Sequence, residues 1–317
     1  MCAAAGPAGT RFTSVRRLAE IDSTNRYLLD EARAGAPEGV VVVADYQHAG
    51  RGRLGRRWEA PAGSNLLVSV LLRPALAVEE LHLCTVAVAL AAADACERAA
   101  GLVPQLKWPN DLVVGDRKLA GILAESIPPA PLVPPTQPMP PAPLVPPTQP
   151  APPAPPAPPA PPVPPAPPAT DAAGAHPAVV VGLGLNVGWP PPEGAGPETT
   201  AVDGPGSAEH DEVLRTATSI WRETGLHPAP ADVLDPLLVA LESRVAALAT
   251  AEGRRAMAGE YRRRCTTLGR VVRVSGSDGD FTGTAADITV EGHLVVDVGT
   301  CLKTVAAGDV VHLRTSG

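Results

Sequence analysis

The spacing of apolar positions changes along the chain and separates strands from helices. GVVVVADY (residues 39–46), NLLVSVLL (65–72) and AVVVGLGLNVGW (178–189) are short apolar or β-branched runs closed by turn residues, which predicts strands. PQLKWPND (104–111) reads as a strand leading into a turn at Pro109–Asp111, and LVVGDRKLAGILAES (112–126) as a hairpin turning at Gly115–Asp116. Three stretches instead follow the helical period. STNRYLLDEARAG opens on cap-type residues and closes at Gly35, VEELHLCTVAVALAAADACERAAG stops at Gly101, and VLDPLLVALESRVAALA is amphipathic. This order predicts an α+β domain over residues 12–264, a mixed sheet covered by helices on one face. Residues 1–11 are expected to be disordered. From 265 to 317, GRVVRVSG, DFTGTAADIT, GHLVVDVG and LKTVAAGDVVHLR are four strand candidates separated by Gly/Asp turns, the pattern of a small SH3-like β-barrel.

One segment interrupts the first domain. More than half of the chain's 39 prolines fall between Pro128 and Ala169, where PPAPLVPPTQP occurs twice before decaying into Pro-Pro-Ala triplets. Proline fixes its own φ and cannot donate to a ladder, so the insertion, taken as residues 128–175, is expected to be extended and disordered. Its two readings are a ligand for SH3-like or WW-like modules and a low-complexity loop without a role; composition favours the loop.

Charge and cysteine content narrow the class. Lys and Arg number 26 against 33 Asp and Glu, a formal charge of −7, which argues against a general nucleic-acid binder. The five cysteines form no C-x-x-C pair, and the seven histidines have no metal-ligand spacing, so free thiols in a reducing compartment are expected. The N-terminus lacks the apolar core of a signal peptide, and the longest apolar run, broken by Asp94, is too short to span a bilayer. A cytoplasmic protein with no membrane or DNA partner is the expectation.

Against this acidic background, YQHAGRGRLGRRW (46–58) gathers Arg51, Arg53, Arg56 and Arg57 around Gly50, Gly52 and Gly55. Guanidinium forks and accessible backbone N–H groups suit phosphate or carboxylate. Yet no Lys-Ser/Thr follows at P-loop spacing, and GLGLNVG runs into Trp189-Pro190 rather than opening a helix, so neither common nucleotide fingerprint is present. The stretch occurs in order with DSTNRYLL (22–29), KWPNDLVVGDRKLAGILAE (107–125) and VGLGLNV (181–187), followed by TATSIW (216–221) and a closing AGDVVHLR. This set resembles the biotin–protein ligases. The likeness covers nearly the whole chain apart from the proline segment, the first dozen residues and a loop from about Pro190 to Arg215.

The resemblance implies two steps: biotin and MgATP give biotinyl-5′-adenylate, and a lysine of a biotin carboxyl carrier domain then attacks it. It also implies roles. Ser23, Thr24, Asn25 and Gln47 match biotin contacts, and Arg51, Gly52 and Arg53 match a loop that folds over biotin and the α-phosphate. Lys118 matches the lysine beside the reacting carboxylate, so Lys118, Arg51 and Arg53 are the catalytic candidates. Trp58, Asn110 and Asn186 match adenylate positions, with Asp111 in the same motif. Lys107 and Trp108 are expected to be structural, and Gly182 and Gly184 to let a backbone approach the ligand. No residue is assigned as a Mg²⁺ ligand. Only 22 residues precede Ser23, so the expected type is monofunctional, without the helix-turn-helix domain of many relatives. Leu54 stands where the family often has a basic residue, and His48 where it often has an amide. Family sheets can pair edge to edge, so a homodimer is one expected assembly. The alternatives are a lipoate-type ligase of the same fold and a non-catalytic binding protein using the proline arm.

Overall fold

The computed structural model describes residues 2–128, 176–194, 212, 214–275, 279–306 and 309–313. The proline insertion beyond Pro128 and most of the loop after Gly194 lie outside the described residues.

The first domain is built on an eight-stranded mixed sheet of order β1-β2-β3-β4-β8-β7-β6-β5. Its strands are β1 (Cys2–Ala5), β2 (Ser14–Ile21), β3 (Val40–Gln47), β4 (Leu66–Leu72), β5 (Gln105–Lys107), β6 (Asp111–Val114), β7 (Arg117–Ile127) and β8 (Ala178–Leu185). Only β2 and β3 run parallel; the other pairs are antiparallel. One expectation is corrected here, and one strand was not foreseen. Residues 2–5 are not disordered but pair with β2 from Cys2↔Arg17 to Ala5↔Ser14. Ser14–Ile21 was not legible as a strand because Arg16, Arg17 and Glu20 interrupt its alternation, and only Val15 of it is buried.

Helices cover both faces of the sheet, not one. Helix α1 (Thr24–Arg33) seats Leu28, Leu29 and Ala32 against Val40, Val42, Leu71 and Val180. The opposite face carries α2 (His82–Ala100), which packs against Val68, Val70, Leu72 and Val181. Because β4 sends Leu71 to one side and Leu66, Val68, Val70 and Leu72 to the other, every residue of the strand is buried. Helix α2 is buried on nearly all sides between the sheet and α4 (Pro230–Leu248). Its alanines let the helices approach closely, and burial pushes the thiols of Cys84 and Cys96 up to about 12, so both stay neutral. A short α3 (Ile220–Thr224) precedes α4, and α5 (Ala251–Arg264) follows it. Helix α5 was not foreseen: Gly253, Gly259 and seven charged residues dilute its pattern, and it buries Met257, Ala258 and Tyr261. Among the described residues no helix is long and apolar enough to cross a membrane.

The C-terminal unit is a five-stranded antiparallel sheet of order β12-β11-β10-β9-β13, a small SH3-like barrel. Its strands are β9 (Val271–Ser275), β10 (Phe281–Ile288), β11 (Leu294–Asp297), β12 (Leu302–Val305) and β13 (Asp309–His312). The last sequence candidate is therefore two strands, one pairing with β11 and the other with β9. The barrel is keyed to the first domain by Trp108, 1% exposed, whose Nε1 donates to Gly292 O (2.9 Å) and whose backbone N–H donates to Thr267 Oγ1 (3.0 Å).

Strands β7 and β8 pair without slippage from Ala120↔Leu185 to Ile127↔Ala178, so the proline insertion leaves and re-enters the sheet at adjacent positions.

Three helices are tied by charge. Asp94 of α2 accepts from Arg244 of α4 (2.7 Å) and Arg264 of α5 (2.9 Å), and Glu260 pairs with both arginines. The hydrogen bond from Arg244 holds the Glu260 carboxyl below its ordinary range. Asp94→Ala should lower stability by roughly 1–3 kcal/mol, because two partly buried guanidinium groups are left sharing one carboxylate. A depressed carboxylate contributes stability above its unfolded value and loses it as pH falls through the folded one. Glu260→Gln should therefore flatten the fall of melting temperature between roughly pH 5 and 3. Urea titration and scanning calorimetry across pH check the pair.

Candidate active site

The distinguishing cavity, about 340 Å³, opens on the α1 face of the sheet where β7 and β8 lie side by side. Each sequence motif contributes a wall. The start of α1 brings Ser23, Thr24 and Asn25, the end of β3 brings Gln47, and the arginine loop brings Arg51, Gly52, Arg53 and Trp58. The β5–β6 turn brings Lys107, Asn110 and Asp111, and β7 brings Lys118. Asn186 lines the far end, and Val310 and Val311 of the barrel stand at the rim. All residues singled out as candidates thus converge. His48 does not line the cavity and instead meets Glu20 at 3.0 Å.

The floor is made by missing side chains. A Cβ on Gly182 would lie 2.2 Å from Asn25 Oδ1, and one on Gly184 2.4 Å from Trp58 Cε2. These glycines were expected to let backbone approach a ligand. In the structure they make room for two of the protein's own side chains, Asn25 and Trp58.

One end of the cavity is lined by uncharged polar side chains, whose network ends on the Glu125 carboxylate. Ser23 caps α1, its Oγ accepting from the Arg26 N–H. Gln47 Oε1 accepts from the Thr24 backbone N–H (2.8 Å) and hydroxyl (3.1 Å). Ser69 of β4, fully buried, donates its one hydroxyl proton to Asn25 Oδ1 (2.6 Å) and lies within hydrogen-bond distance of Thr24 Oγ1 (2.8 Å). Asn25 Nδ2 donates to Leu123 O (3.1 Å) and to Glu125 Oε2 (3.0 Å). Sequence reasoning did not single out Ser69 or Glu125. A lone serine inside the apolar run LLVSVLL was the available signal for the first, since a buried hydroxyl needs a partner.

The other end is cationic. Lys118 Nζ sits 2.7 Å from Asp111 Oδ1 and 5.7 Å from the centroid of the Trp58 ring. The backbone of Lys118 is held by TATSIW: its carbonyl accepts from the Thr218 N–H at 2.9 Å. Arg53 donates to Asn110 Oδ1 (3.4 Å), and Asn110 Nδ2 donates to Ile122 O (2.8 Å). Asn186 is committed on both sides of its amide: Nδ2 donates to Thr218 O (2.9 Å), and Oδ1 accepts from Asn65 Nδ2 (3.0 Å). Behind Trp108, the buried His82 imidazole is pushed down to about 4, first by desolvation and then by His293 and Arg53, so it adds no charge near neutral pH.

The arginine loop is a small hairpin. Arg51 bridges to Arg57, Gly52 N–H donates to Arg56 O (2.7 Å), and Trp58 N–H donates to Gly50 O (3.0 Å). At its tip Leu54 (φ 56°) and Gly55 (φ 73°) both lie in the left-handed region, as a tight hairpin turn demands. Leucine is strained there by about 1–2 kcal/mol, and its side chain is 71% exposed.

A fold with this cavity defines a class. The model of the Biotin/lipoate A/B protein ligase family matches residues 18–133, and that of the Biotin protein ligase C terminal domain matches residues 267–313. Within that class, the Biotin--[acetyl-CoA-carboxylase] ligase of Mycobacterium tuberculosis is 33% identical over 313 residues, 97% of this chain and 92% of the relative. The Bifunctional ligase/repressor BirA of Escherichia coli is 44% identical over 117 residues, 35% of each chain. The solved structure of the biotin protein ligase from Aquifex aeolicus in complex with biotin and ATP shares the fold, with a TM-score of 0.63 at 22% identity, over 95% of this chain and 99% of that one. The chain belongs to the biotin–protein ligase family.

Gly184→Ala should displace the Trp58 indole from its seat rather than deform the sheet. Tryptophan emission should shift to the red, and the shift should vanish in a Trp58→Phe background.

Proposed function

We propose that this chain attaches biotin to a lysine of a biotin carboxyl carrier domain through biotinyl-5′-adenylate. The observation that carries the reading is the convergence of four separated motifs on one cavity that is lined by uncharged polar side chains at one end and cationic at the other. The ureido ring of biotin offers two donors and an acceptor, which suits Ser23, Thr24, Asn25 and Gln47. The biotin carboxylate then points toward Lys118, Arg51 and Arg53, and the adenylate lies toward Trp58, Asn110 and Asn186.

In the first step a carboxylate oxygen attacks the α-phosphorus of ATP, and the bond to pyrophosphate breaks. Two unit charges at contact repel by about 4 kcal/mol at an effective dielectric near 20. The cations remove that cost and stabilise the charge that develops in the transition state. Asp111 holds the Lys118 ammonium at the junction of the two ends. In the second step the acceptor amine attacks the acyl carbon and AMP leaves with the bonding pair. ATP enters as its Mg²⁺ complex. Mg²⁺ is commonly held by substrate phosphate oxygens with one or two carboxylates. Asp111 and Glu59 are the carboxylates that line the cavity. A biotin-ligase relative spanning 97% of the chain leaves the lipoate and non-catalytic readings without a supporting observation. The expected compartment is the cytoplasm.

The test is incubation with MgATP and labelled biotin or lipoate. An acid-labile acyl-adenylate should form from biotin; formation from lipoate alone would sink the reading. Lys118→Met should cut single-turnover adenylation by on the order of 10²-fold, and a near wild-type rate would remove Lys118 from the chemistry. Arg53→Gly should release adenylate early, so labelling of an unrelated lysine-rich protein rises while carrier labelling falls per adenylate formed.

A further inference from the structure

Glu125 belongs to no role considered so far, yet three motifs meet on its carboxylate. It stands on β7 and accepts from Asn25 Nδ2 at 3.0 Å. Arg51 Nη2 reaches across from the arginine loop to both of its oxygens, each at 3.1 Å. Asn25 is itself fixed by Ser69 and by the space over Gly182. The loop is thus tied to the polar end of the cavity through one side chain that is not part of the loop.

We infer that Glu125 is a positioning residue that latches the arginine loop over the biotin end of the cavity by holding Arg51. The inference rests on the ligase reading for its consequence, and on geometry alone for the latch. The strength of the latch follows from its setting. Arg51 and Glu125 are 48% and 28% exposed, and an ion pair so hydrated is weak. A weak latch suits a lid that must admit substrates, shut while a hydrolysable intermediate exists, and reopen for the acceptor lysine. Arg51 held by Glu125 adds to the closure that Arg53 also serves, and leaves Arg53 beside Asn110 at the cationic end.

Two readouts test this on the full chain. The loop carries four arginines, so limited trypsinolysis of the ligand-free protein reports its opening. Glu125→Gln keeps an oxygen for Asn25 but removes the charge that Arg51 needs. Cleavage between Arg51 and Arg57 should become about threefold faster, and the same substitution in an Arg51→Met background should add nothing. An unchanged cleavage rate, or an equal rise in both backgrounds, overturns the latch. With MgATP and biotin, Glu125→Gln should speed adenylate release by more than it slows single-turnover adenylation. A larger loss in adenylation than in retention would make Glu125 part of the chemistry and overturn the positioning role. Should the wild type form no biotinyl-adenylate, the ligase reading falls, while the trypsin comparison still decides the latch.

Discussion

The register between β7 and β8 sets Gly121 opposite Gly184 and Leu123 opposite Gly182. Backbone without side chains is thereby brought to the middle of a sheet otherwise crowded with valine and leucine. The α1 face can then sink Asn25 and Trp58 to a depth that no substituted strand would allow. From that depth follow the rest of the site's relations: Asn25 meets Ser69 beneath it and Glu125 beside it, and Trp58 lies within reach of Lys118. A one-residue slip of β7 would turn Glu125 to the α2 face and away from Asn25. The burial of β4 on both sides and the barrel's grip on Trp108 hold the sheet against such a slip.

Charge is distributed with the same economy. The protein is acidic overall, and its arginine loop is not left as bare positive charge: Arg51 answers Glu125, Arg57 answers Glu59, and Lys118 answers Asp111. Each pair is partly hydrated; the Arg51–Glu125 pair keeps the loop in place, while the pairs of Arg57 and Lys118 can be exchanged for a substrate anion at modest cost. A cavity prepared in this way accepts a carboxylate and a triphosphate by swapping partners rather than by burying unpaired ions, which would cost far more.

How much of this was legible in the sequence depended on whether a residue's neighbours lie near it in the chain. Strands β3, β4 and β8 announce themselves by composition, and α1 by its cap and closing glycine. Strand β2 and helix α5 do not, because Arg16 finds Glu31 and Tyr27, and Arg264 finds Asp94, only in three dimensions. Uninterrupted burial along LLVSVLL already implied cover on both faces, which the expectation of a one-sided sheet overlooked. The candidate residues were found through ordered motifs, and the cavity gathers them. What the motifs could not convey was who holds whom: Ser69 under Asn25, Asn65 against Asn186, and the glycines making room for the protein's own indole and amide.

The junction of Ile127 and Ala178 has a consequence of its own. Strands that end as partners form a doorway whose width is fixed by the ladder, not by whatever is threaded through it. Doubling the threaded length costs only about 0.6 kcal/mol in closure entropy, so the enzyme's frame is nearly indifferent to cargo at this point. The same doorway could carry a reporter, an affinity handle or a whole foreign domain, making this hairpin end a natural grafting port on a scaffold whose working face lies elsewhere along the same two strands.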